Sequence, residues 1–70
     1  MYKTDLILLI IGYECGWNAI NNDETIIKGI FRYLCAGNER VIKRFNELSN
    51  AETSELLLLK NANFKTVNRG

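Results

Sequence analysis

Histidine and proline are both missing from this 70-residue chain, and cysteine occurs only twice. Without histidine, the commonest general base and the commonest metal ligand are gone, so most hydrolytic and metal-dependent schemes lose their usual player. Without proline, the chain suits helices joined by short Asn- and Gly-containing turns. There is no phosphate-binding glycine loop and no metal-ligand spacing. Ser49 and Ser54 have no base nearby in sequence to activate them, and Cys15 has no cationic neighbour to lower its pKa. The expectation is a protein that is not an enzyme and carries no cofactor or metal.

Long apolar runs are also missing. Residues 6–11 are unbroken, but Asp5 and Glu14 bracket only eight residues, whereas a membrane span takes about 20. Gly12 and Gly16 form a GxxxG, which carries weight as a membrane motif only inside such a span. A signal peptide is disfavoured as well, because Asp5 interrupts the start and no A-x-A-like site follows. Net charge is nearly absent: the formal value of +1 argues against broad electrostatic capture of nucleic acid or anionic lipid.

Hydrophobic residues make up 47% of the chain, too many for disorder. They are densest in residues 5–20, where Leu6, Leu9, Ile10, Tyr13, Trp17 and Ile20 share one face at helical spacing while Leu8, Gly12, Cys15 and Ala19 form an opposite strip. A helix apolar on two faces is central in its fold, so the chain reads as an all-α compact bundle of four short helices around the first. Thr4 is the expected cap of that helix, with Asp5 in its first turn. Asn22 or Asp23 caps a second, lined inside by Ile27, Ile30 and Leu34, which ends at Gly37. Asn38 caps a third, with Val41, Ile42, Phe45 and Leu48 inside. Ser49 and Glu52 have the spacing of a capping box opening a fourth, which reaches Asn61 or Asn63. The reading gives one helical domain over residues 1–64, with Phe64 docking at its end, and a C-terminal tail over 65–70.

A helical hairpin turning near Asn22 places Cys35 about 7.5 Å of rise beyond the level of Cys15, past the roughly 7 Å limit for a disulfide. Two buried, reduced thiols are expected, and with them a cytoplasmic location.

A chain this short buries only about 60% of the surface its unfolded form exposes, which favours self-association, and a homodimer is expected. The apolar residues also exceed what one core takes. Four consecutive leucines, Leu56 to Leu59, step about 100° each around a helix and cannot all face inward. Ile7 and Ile11 fall outside both apolar faces of the first helix. Contiguous exposed apolar patches mark interaction sites, so the expected partner-binding residues are Ile7, Ile11, Leu57 and Leu58, with Arg40, Lys43 and Arg44 at the rim. Trp17 and Tyr13 are assigned to the core.

Those three cations also suggest phosphate contacts. Glu39 and Glu47, however, stand four residues either side of Lys43, and ordinary i, i+4 pairs on a solvated face account for the cluster. Read as a helix-turn-helix, the fourth helix would present acids and leucines where base-reading side chains are needed. The functional expectation is therefore a small protein-binding inhibitor or regulator that occludes a surface of another protein. The abundance of Ile, Asn and Lys is what AT-rich coding gives, and hints at a phage or mobile element. A nucleic-acid-binding regulator using the third helix is the alternative.

Overall fold

The computed structural model describes residues 1–69. They form four helices and no strand: α1 (Lys3–Glu14), α2 (Asp23–Cys35), α3 (Glu39–Ser49) and α4 (Thr53–Val67). The chain is an all-α bundle in which α1 touches each of the other three, while α2 and α3 also meet. The uniform greasiness of α1 accounts for this arrangement. Every residue from Leu6 to Tyr13 is buried, which a 12-residue helix achieves only when neighbours cover all its sides.

Local chemistry sets most of the boundaries. Asn22 caps α2 by accepting the Thr25 N–H at 2.8 Å, and Asn38 caps α3 by accepting that of Val41 at 3.1 Å. Gly37 takes φ +82° just past α2. Its N–H donates to the Leu34 carbonyl at 3.2 Å while that of Asn38 reaches the Tyr33 carbonyl at 3.0 Å, the paired bonds of a Schellman C-cap.

The first helix is shorter than its pattern predicts. Gly16 adopts φ +99°, and the Gly16 and Trp17 N–H groups bond back to Tyr13 and Gly12, both at 3.0 Å. The same motif therefore ends α1 at Glu14, and Trp17 and Ile20 lie in the connection. Ile20 is 90% exposed. Trp17 still reaches the core, lying over Gly29 of α2, where a β-carbon would stand only 2.9 Å from its ring.

Two expected caps do not form. Thr4 lies inside α1, whose N-cap is Tyr2, and Ser49 is the last residue of α3, where its hydroxyl donates to the Asn46 carbonyl at 2.8 Å. In return α4 begins later and runs further than predicted, through Val67. Its end is held by specific contacts: the Phe64 ring meets Tyr13 edge-on at 5.7 Å, and the Asn68 side chain accepts the Ala19 N–H at 2.7 Å. Residues 65–67 are thus helix rather than tail. Both cysteines are free, as expected, but exposed rather than buried.

Candidate protein-binding surfaces

The predicted interaction residues divide into three groups. Ile7 and Ile11 are each only 2% exposed, so neither presents an open face, although Ile11 lies at the floor of a cleft bounded by α1, α2 and α3. The sequence pattern marks two faces of α1 for burial, whereas three helices pack around it and close the intervening edge as well.

Leu57 and Leu58 do face outward, 46% and 73% exposed. The geometry of four leucines in a row predicts this: Leu56 is fully buried, Leu59 packs partly against the core, and the other two turn away from it.

Arg40, Lys43 and Arg44 line an open cleft of about 820 Å³, together with residues from the C-terminal halves of α1 and α2 and from the α1–α2 connection. Ile11, Ile30 and Val41 contribute its apolar lining, Trp17 and Tyr33 its aromatic one, and Glu14 and Glu47 share the rim with the cations. No residue of α4 takes part. The cations and the exposed leucines, expected on one surface, therefore lie on two.

Within the cleft the three cations are not equivalent. Arg44 makes a bidentate bridge to Glu14, from Nε at 2.9 Å and Nη2 at 2.7 Å, which ties α3 to the end of α1. Those hydrogen bonds raise the Arg44 pKa above the ordinary guanidinium value against the opposing effect of burial. The expected i, i+4 pairs around Lys43 are not made; the ion pairs among the described residues are Glu14 with Arg44 and Glu24 with Lys28. Arg40 and Lys43 are left exposed, with charges available to a ligand.

A second groove of about 530 Å³ runs between α1 and α2, lined by Met1, Leu8, Ile27 and Phe31 with Asp5, Asp23 and Glu24 alongside. Among the described residues no group of three or more His, Cys, Asp or Glu side chains could hold a metal ion, and no helix is long and apolar enough to cross a membrane.

Sequence reading missed Glu14, Trp17 and Tyr33 as members of the cleft. Glu14 lies 30 residues from Arg44, and no local spacing signals a pair formed only by tertiary packing. Tyr33 follows Ile26 and Ile30 at the i, i+4, i+7 spacing of a buried stripe, so its half-exposed place in the cleft was masked by the pattern. No family model, curated protein or solved structure matches the chain.

Proposed function

We propose that this chain is a small non-enzymatic protein-binding module, a regulator or inhibitor that acts by covering a surface of a partner protein, with a segment of the partner seated in the α1–α2–α3 cleft. The observation that carries this reading is the juxtaposition of Arg40 and Lys43, exposed and outside any ion pair among the described residues, with the Tyr33 and Trp17 rings over an apolar lining. Tyr, Trp and Arg around an apolar centre are what protein-recognition patches are enriched in. The charge balance favours a segment carrying an acidic side chain beside an apolar anchor. Two exposed free thiols suit the reducing cytoplasm. The small size and AT-biased composition fit a product of a phage or mobile element, working as a homodimer.

Trp17 is the single tryptophan and lines the cleft, so its fluorescence reports occupancy directly. Titration with a synthetic library of short peptides pairing Asp or Glu with Leu or Phe should give saturable shifts in Trp17 emission. The double substitution R40E/K43E should weaken the binders about tenfold or more, the scale of losing two charge-assisted contacts. A library with no binder, or binders indifferent to R40E/K43E, overturns the reading.

A nucleic-acid-binding regulator is the second reading, favoured only by the exposed Arg40 and Lys43. It loses Arg44, which Glu14 engages, and places Glu14 and Glu47 where phosphates would lie. DNA binding that weakens steeply with salt would support it, because counterion release drives such binding.

A further inference from the structure

We infer that the outer face of α4 is a self-complementary stripe on which a second copy of this chain docks antiparallel. Glu55, Leu58, Ala62 and Lys65 are all exposed, and their spacing of three, four and three residues keeps them on one side of the helix, away from buried Leu56. That spacing reads the same from either end. A twofold axis crossing α4 at the level of Lys60 sets Leu58 over the partner's Ala62 and Glu55 against the partner's Lys65, and each contact occurs twice. This is the isologous arrangement of a symmetric dimer.

The chemistry selects both the occupant and its direction. Leu58, 73% exposed, is a large side chain opposite a small one, which lets the two helices approach closely. Glu55 lies in the first turn of α4 and Lys65 in the last, separated along the axis by about 15 Å of rise. They cannot neutralise each other within one chain, and neither belongs to an ion pair among the described residues. An antiparallel copy supplies both missing partners, whereas a parallel copy would oppose Glu55 to Glu55 and Lys65 to Lys65. One helical stripe buries less than the roughly 1,200 Å² at the lower limit of stable interfaces, so the dimer is weak and concentration-dependent. This interface rests on the homodimer of the functional reading above, and it does not involve the cleft.

Sedimentation equilibrium over a wide range of protein concentration tests this. The wild-type chain should pass from monomer to dimer, and E55K and K65E should each dissociate about tenfold more readily, because two attractive contacts become repulsive. An equimolar mixture of E55K and K65E should recover the dimer. One chain then carries two cations at these positions and the other two carboxylates, so both facing pairs are again of opposite charge. The doubly exchanged variant should recover it too, for the same reason. Far-UV circular dichroism confirms the fold of each variant. A wild-type chain monomeric at every concentration overturns the inference together with the dimer it rests on. A dimer unaffected by either charge reversal overturns the α4 interface but leaves self-association standing elsewhere, and Trp17 fluorescence reports on the cleft separately in both cases.

Discussion

Gly12 of α1 lies so close to Ile26 of α2 that a β-carbon at Gly12 would overlap the Ile26 Cγ2. Ile26 is fully buried and branched at Cβ, so it has few rotamers into which to retreat. The helices meet here with backbone against side chain. Gly12→Ala should therefore destabilise the fold by about 1–3 kcal/mol, the usual cost of overpacking, even though alanine gains about 1 kcal/mol in helix propensity over glycine. The decisive measurement is a cycle with Ile26→Ala in urea denaturation. Removing Cγ2 makes room for the new methyl, so the double variant should lose less than the two single losses together. Strict additivity would mean that the pair is not in direct conflict.

Of the strip predicted opposite the main apolar face, Leu8 and Gly12 are buried in α1 while Cys15 and Ala19 lie beyond its end and are exposed; the helical class, the central place of α1, the Asn22 cap and the junction at Gly37 and Asn38 were legible in the sequence. The end of α1 was not. Gly16 and Gly37 play the same backbone role, but Gly37 is followed by a capping asparagine and Gly16 by Trp17, which continues the helical spacing and disguises the stop. An apolar residue one past the glycine is itself a feature of the Schellman cap, where it folds back onto the last turn. The partner of Arg44 and the closure over Ile7 and Ile11 were out of reach for another reason. Both depend on which helices pack together, and the spacing within one helix does not encode that.

Tyr13 gives the fold an alkaline limit. It is buried, and its hydroxyl donates to Asp23 Oδ1 at 3.0 Å; burial first, then the bond and the carboxylate charge, push its pKa up to about 12 from 10.0. The folded state thus prefers the neutral phenol. The stability this contributes is complete below the unfolded value near pH 10 and is lost as pH rises toward 12, up to about 3 kcal/mol by linkage. Tyr13→Phe should cost about 1 kcal/mol at neutral pH through the missing hydrogen bond and should flatten the fall in stability across that alkaline range. Chemical denaturation at a series of pH values reads both effects. An unchanged alkaline slope in the variant would move the sensitivity to other groups.

Asn63 sits one heptad beyond Leu56, on the side of α4 that faces α1, and its buried Nδ2 has no hydrogen-bond acceptor. A buried donor left unpaired costs about 1–3 kcal/mol, and asparagine is also a poorer helix former than leucine. Asn63→Leu should therefore stabilise the chain, raising the midpoint of thermal unfolding by about 4 °C or more if 1 kcal/mol or more is recovered. A second effect is expected because α4 already carries leucines around most of its circumference. The Asn68 bond to Ala19 and the Phe64 contact with Tyr13 fix its rotation at one end, while a polar group at position 63 disfavours rotations that would bury a different leucine set. If Asn63 contributes specificity in this way, Asn63→Leu will melt higher but less cooperatively. A higher, equally sharp transition would show that the C-terminal contacts alone set the rotation of α4, and a lower midpoint would show that Asn63 is paired in solution.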